Sequence, residues 1–422
     1  MLRKISMPSA IAAAPARLVV ARRIRLIFLM AALGIAALAF TAASGAATST
    51  QTVVLSGWRE SPEATAALEN VIAAFEASHP TIHVDYEPSD NYVQGIENGF
   101  AAGNPPDVFY VNSDVAPDWI ARGYLQPLGG FAQKSGFDTS HFFPVLRNGF
   151  KGPGGQPYGY PKDWSPLAEY TNDALLAEAG VAAPTTWSEL RAAAVEIRAA
   201  TGVTPVCLSA DWARLLAFVE ENGGSMLNDS RSAATIDSSA AKGAVDFYLG
   251  LVRDGLAALP SDLGEGWCGQ AIADGTVAIT FEGNWLLPIV KDSGISYSIH
   301  PMPSNVRRGN LAFTVAYAIA SSSQHMEAAW TLLSYLTSRD GMQIWVNGGV
   351  ALPSRDDVTP LPGTDVLIGE APISTLWQFG IGFNNWFWSA EGELASVFAG
   401  TETIDGMLAA VQATANAALA GG

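Results

Sequence analysis

Short runs of β-branched and aliphatic residues alternate with amphipathic helical patterns between residues 51 and 111, and no other feature of the chain restricts its fold as much. Residues 51–55 read as a strand. Ser61, Pro62 and Glu63 then supply a hydroxyl N-cap, a proline at the first helical position and an acid at the positive end of the helix dipole. Leu68, Val71, Ile72 and Phe75 follow at the i, i+3, i+4, i+7 spacing of one buried face. Ile82, Val84 and Tyr86 alternate as a strand, Val93, Ile96 and Phe100 repeat as a helix, and 108–111 is a continuous apolar strand. This β-α order predicts a mainly parallel sheet covered by helices, with ligands at the carboxyl ends of its strands. Those ends carry residues 56–60 and 112–114.

A second α/β region begins further on. Thr186 with Glu189 fits a capping box, opening a helix that runs to about Ala200 before Gly202. Ala244, Tyr248, Leu249 and Val252 share a helix face, residues 276–281 and 313–320 read as strands, and Ala329, Leu332, Leu333 and Leu336 share another helix face. From Ile404 the chain is an alanine-rich helix. Two such regions within 422 residues indicate two domains rather than one core.

The first 46 residues stand apart. Arg3, Lys4, Arg17, Arg22, Arg23 and Arg25 occur there with no acid, followed by an apolar run at 27–40 and the small residues Ser44, Gly45 and Ala46. That order makes a secretory signal, with Met7 as a second candidate initiator. The apolar run is short for a stable membrane span, so cleavage is the leading expectation and an uncleaved anchor the alternative. The chain is therefore expected to be exported, to the periplasm or the outer face of the cytoplasmic membrane. Losing those six cations from a net charge of −17 leaves about −23. A surface that acidic repels phosphate backbones and anionic lipid heads, which excludes nucleic acid as an expected partner.

Cys207 and Cys268 are the two cysteines, and an even pair in an exported protein is expected to form a disulfide, two free thiols being the alternative. Phosphate-cradling and dinucleotide glycine motifs are absent, as is a nucleophile elbow. The five histidines are scattered, and Pro80 breaks any helix that would align His79 with His83. No cofactor, metal or catalytic residue is expected. The one enzymatic alternative is a glycosidase, which needs only two carboxylates across a sugar; Asp163, Asp211 and Glu282 are its candidates.

Tryptophan recurs beside polar groups. Trp58 precedes Arg59 and Glu60, Lys162 and Asp163 precede Trp164, and Asp211 precedes Trp212. Glu265 leads into Trp267, Glu282 and Asn284 into Trp285, and Asn384 and Asn385 into Trp386 and Trp388. A flat ring can stack on the C–H face of a pyranose while a neighbouring carboxylate or amide satisfies its hydroxyls. Each pair alone also fits a core residue near a strand end. Trp187, Trp330 and Trp345 lie in helical patterns and read as core.

Four stretches in order carry a resemblance. They are residues 75–84 followed by GNPPDVFYV at 103–111, YGYPKDWSPLAEYTNDALLAEAGVAAPTTWSEL at 158–190, GWCGQAIADGTVAITFEGNW at 266–285, and 318–355 ending in Ala351, Leu352, Pro353, Ser354 and Arg355. From about Thr52 onward the chain resembles the family 1 extracellular solute-binding proteins, the sugar-capturing subunits of bacterial ABC importers. That resemblance implies an α/β two-lobe periplasmic-binding-protein fold of type II, maltose-binding-protein-like, with a hinge of crossing segments and a ligand cleft between lobes. Lobe I would comprise 47–161 and 311–350, and lobe II 162–310 and 351–422, with crossings near 160–162, 311–313 and 350–353. The implied partners are a mono- or oligosaccharide and the permease subunits of an importer, with the protein itself a monomer. Carried onto these positions, the cleft would hold Trp58, Arg59, Glu60, Asn112, Asp114, Lys162, Asp163 and Trp164. Lobe II would add Asp211, Trp212, Trp267, Glu282, Asn284, Trp285, Asn385, Trp386 and Trp388, while Trp267 could instead pack on the disulfide. Two alternatives remain: the same fold gripping a phosphoester, such as a glycerophosphodiester, through Arg59 and Lys162, or a secreted glycosidase.

Overall fold

A computed structural model describes residues 50–349 and 351–421, apart from the side chains of residues 384, 385 and 421, so the leader expected at 1–46 lies outside it. Two mixed sheets organise these residues. The first contains β1 (Gln51–Trp58), β2 (Ile82–Ser89), β3 (Val108–Asn112), β4 (Gly159–Pro166), β10 (Asn310–Ile319) and β11 (Ser374–Leu376). Its order is β11-β10-β3-β1-β2, with β4 along the other edge of β10. The second sheet, in the order β7-β6-β8-β5-β9, contains β5 (Ala168–Asn172), β6 (Thr204–Cys207), β7 (Ala257–Ala258), β8 (Val277–Glu282) and β9 (Tyr297–His300).

The expectation of a mainly parallel first sheet holds for only part of it. β1 runs parallel to β2 from Gln51 opposite Ile82 to Trp58 opposite Ser89, and parallel to β3. β10 is antiparallel to both β3 and β4. It arrives from the second sheet, not through a helical crossover within the first, so it enters in the opposite direction. β11 then lies parallel to the first residues of β10, end to end with β3.

The helices begin and end where side-chain chemistry permits. Ser61 Oγ accepts from the amide of Ala64 at 3.2 Å, and the helix Pro62–Ser78 buries Leu68, Val71, Ile72 and Phe75 against the first sheet. Both halves of the capping box at Thr186 and Glu189 are formed, and the helix Trp187–Thr201 stops at Gly202, whose φ of 70° suits a residue without Cβ. The second core gathers Trp187, Phe218, Tyr248 and Trp386. A third cluster surrounds the expected disulfide between Cys207 and Cys268, which joins the end of β6 to the helix Cys268–Ala273.

One side chain links two of the passages between the sheets. The chain leaves the first sheet at Pro166 and enters the second at Ala168, through the fully buried Leu167. Asn310, where β10 re-enters the first sheet, accepts from the Leu167 amide at 3.2 Å and donates to its carbonyl at 2.8 Å. Among the described residues no helix is long and apolar enough to cross a membrane.

Candidate functional site

The carboxyl ends of β1 and β3 open beside β4, and a slip in pairing aims the charged groups there. Pro161 lies opposite Ala316 and Asp163 opposite Val315, which leaves Lys162 as the extra residue of a β-bulge. Neighbours in an even strand point to opposite faces, whereas a bulge re-aims one of them. Lys162 Nζ therefore reaches Asp163 Oδ2 at 2.6 Å and Glu60 Oε1 at 3.5 Å. The Lys162 side chain is 3% exposed, and its ammonium sits 3.9 Å above the ring centroid of Trp345 and 4.8 Å from that of Tyr110. Trp345 Nε1 donates to the same Asp163 oxygen at 3.1 Å.

From the second sheet, β8 ends at Glu282 and hands on Asn284 and Trp285. The turn needs Gly283: a Cβ there would stand 2.3 Å from the Trp285 ring and 2.5 Å from Ser165 Oγ. Ser165 Oγ accepts from the Asn284 amide at 2.8 Å, tying this turn to β4. The Trp285 ring is 36% exposed and meets Phe313 of β10 edge-on at 5.6 Å. Its Nε1 donates to Glu282 Oε2 at 2.9 Å, and Arg214 Nη2 donates to that oxygen at 2.5 Å. Burial pushes the Glu282 carboxyl above its usual range, with the Arg214 cation opposing.

A cavity of about 300 Å³ lies between these two sets of groups. Eight residues expected at a cleft line it: Trp58, Glu60, Asn112, Lys162, Asp163, Trp164, Asn284 and Trp285. A larger recess of about 830 Å³, beside the helix Tyr92–Ala102, has none of them in its walls. Trp58 is steadied edge-on against Tyr110 at 4.9 Å and Tyr92 at 5.8 Å. Trp164 is anchored by its Nε1 donating to the Pro353 carbonyl at 3.0 Å.

The structure places the other expected site residues elsewhere. Arg59 turns to Asp90, Nε to Oδ1 2.6 Å, on the open surface. Asp114 accepts from the Val115 amide at 3.0 Å, burial pushes its carboxyl up to about 6, and it does not line the cavity. Asp211 is an N-cap: it accepts from the Arg214 amide at 2.8 Å and pairs with Nη1 at 3.3 Å. Trp212 is fully buried in the second core, with its Nε1 on the Ala390 carbonyl. Trp386 is buried there too, against Phe383. Trp267 packs on the cluster around the disulfide. Trp388 is 74% exposed on the helix Phe383–Phe398, away from the cavity wall. Glu282 stands behind Trp285 with no exposed surface, and the Asn385 side chain lies outside the described residues.

Three residues of consequence escaped the sequence reading. Trp345 is core, as its helical pattern implied, yet it also lines the cavity and holds Lys162 and Asp163. Phe313 supplies the apolar edge beside Trp285, and Arg214 clamps Asp211 and Glu282 together. Only Arg214 carried a signal, as a cation three residues after an N-cap acid. The donors of His141, Asp356 and Asp357 come close enough to suit a metal, but Asp357 is held by two Arg355 nitrogens at 2.8 Å and His141 by Asp356 at 2.7 Å.

Among the described residues, the cavity offers exposed aromatic surface, amides, and a cation, Lys162, already paired with two carboxylates. The family model for bacterial extracellular solute-binding proteins matches residues 59–343. The multiple sugar-binding protein of Streptococcus mutans serotype c is 23% identical over 323 residues, covering 69% of this chain and 72% of that protein. An ABC substrate-binding protein of Listeria monocytogenes, solved in complex with cycloalternan, aligns with a TM-score of 0.79 at 21% identity, over 88% of this chain and 99% of its own. UgpB of Mycobacterium tuberculosis, solved with glycerophosphocholine, aligns with a TM-score of 0.77 at 18% identity, over 86% and 98%. These likenesses show the two-lobe periplasmic-binding-protein fold. Proteins of the matched family bind a solute without transforming it, which sets aside the glycosidase alternative. Matched over more than half its length, the chain belongs to the bacterial extracellular solute-binding proteins.

Proposed function

We propose that the protein captures a neutral mono- or oligosaccharide in the cavity between its two sheets and delivers it to the permease of an ABC importer. The observation that carries this reading is the pairing of the half-exposed Trp285 ring with charges that are already neutralised in pairs. A pyranose needs a stacking face and fixed hydroxyl partners, and Trp285, Trp58, Glu60, Asn112 and Asp163 supply those. The cations near the cavity favour a neutral cargo over a phosphoester. Lys162 is engaged by two carboxylates, Arg214 by two more, and Arg59 faces Asp90. A phosphoester would meet more acids than free cations.

The lobes in this reading follow the sheets, with passages at 166–168, at 300–310 and after β11, where Trp377, Phe379 and Phe383 join the second core, and ligand touching both would favour their closure. The disulfide suits an oxidising compartment outside the cytoplasm. A thermal-shift screen tests the reading: neutral saccharides should raise Tm, glycerophosphocholine and sugar phosphates should not, and the reverse pattern would overturn it.

A further inference from the structure

Arg214 lies on the helix Trp212–Glu221 and contributes nothing to the cavity wall, yet two contacts tie it to the exposed ring that forms part of that wall, and a third fixes it to its own helix. Its Nη2 is 2.5 Å from Glu282 Oε2, the oxygen that accepts from Trp285 Nε1 at 2.9 Å. Its guanidinium carbon stands 5.5 Å from the centroid of the Trp285 ring. Its Nη1 is held at 3.3 Å by Asp211, whose other oxygen caps the helix that carries Arg214. Trp285 is thus gripped on its N–H edge and on its ring surface by one ion pair.

We propose that Arg214 is a positioning residue: it fixes the angle at which Trp285 presents its ring to ligand, acting through Glu282 and never touching the ligand. This rests on the reading of Trp285 as the stacking surface. The chemistry of the pair supports it. Glu282 is fully buried and uses Oε2 for both Arg214 and Trp285, while Oε1 has no hydrogen-bond partner among the described residues. A carboxylate so buried keeps its charge only while the guanidinium is beside it. Without Arg214 the carboxyl takes up a proton or turns toward another partner, and the indole loses the fixed acceptor that holds a half-exposed ring in one rotamer. The arrangement also reassigns Glu282, from an acceptor for sugar hydroxyls to the support behind the stacking ring.

Two readouts test this, one without ligand. In proton–nitrogen spectra of the full chain, the indole Nε1 resonance of Trp285, identified by its loss in Trp285→Phe, should shift or broaden in Arg214→Met while the other indole resonances stay in place. It should recover in Arg214→Lys, which keeps a cation within reach of Glu282. In titration calorimetry with a neutral saccharide from the screen, Arg214→Met should weaken binding by about tenfold, the effect of one charge-assisted contact. In the Trp285→Phe background, where the Nε1 link is already gone, the same substitution should change affinity less than about twofold. An unmoved Trp285 resonance, or an equal loss of affinity in both backgrounds, would overturn the proposal. If no saccharide binds the wild type, the sugar reading fails and the indole resonance still decides the role of Arg214. If Arg214→Met does not fold, the double variant Arg214→Met/Glu282→Met, which removes both charges and leaves neither buried alone, takes its place with the same expected pattern.

Discussion

The ammonium of Lys162 rests 3.9 Å above the ring of Trp345, while the indole N–H of that ring donates to Asp163, the carboxylate that Lys162 itself engages. A cation, an anion and an aromatic ring close a triangle beneath the cavity. The charge is neutralised on one side by Asp163 and Glu60 and on the other by the ring quadrupole. The bulge in β4 makes this possible, since it brings Lys162 and Asp163 to the same side.

Lys162→Met should therefore destabilise the protein by about 2–4 kcal/mol, because it leaves two largely buried carboxylates facing each other without a cation. Urea denaturation measures this. A loss below about 0.5 kcal/mol, the range of exposed ion pairs, would show that the triangle is not held by charge.

Replacing both Cys207 and Cys268 by serine removes a crosslink between residues 61 apart in sequence. A loss of about 4 kcal/mol is expected from the unfolded chain's regained freedom. Denaturation of the wild type with and without reductant should show a similar difference. Coincident curves would mean that the bridge does not restrain the unfolded chain.

Glu391 gives stability a pH dependence. Burial pushes its carboxyl up to about 7, against the opposing effect of the Trp212 amide, which donates to it at 3.2 Å. The folded state thus holds a proton that the unfolded chain releases near 4.5. The stabilisation from that proton is complete below about 4.5 and is lost as pH rises through about 7. Glu391→Gln, which keeps an acceptor for the Trp212 amide, should be more stable than wild type at pH 8 and indistinguishable from it at pH 4.5. Parallel Tm profiles for the two proteins from pH 4.5 to 8 would contradict this.

The fold was legible where local chemistry decides it. Ser61–Pro62–Glu63 and the Thr186–Glu189 box start their helices as their residues dictate, and Gly202 ends one. Strand direction was not legible, because β10 runs antiparallel only by virtue of returning from a distant sheet. Within the site, the polar neighbours of tryptophan proved a mixed guide. Asp211 beside Trp212 is a helix cap, so the adjacent ring points into the core, whereas Lys162 and Asp163 beside Trp164 are brought to the cavity by a bulge. Trp345 shows the converse: helical periodicity reports that a face is inward, and an inward face can be both core and cavity wall. Arg214 and Glu282 meet across 68 positions, a pairing that tertiary packing alone creates.

The most direct test of sugar capture is isothermal titration of the wild type and of Trp285→Ala with a panel of neutral saccharides and with glycerophosphocholine. The expected result is binding of at least one saccharide by the wild type, a loss of about tenfold or more in Trp285→Ala with little change in its unliganded Tm, and no heat from glycerophosphocholine. Tight binding of glycerophosphocholine with no saccharide bound, or saccharide binding that survives Trp285→Ala unchanged, would contradict the account.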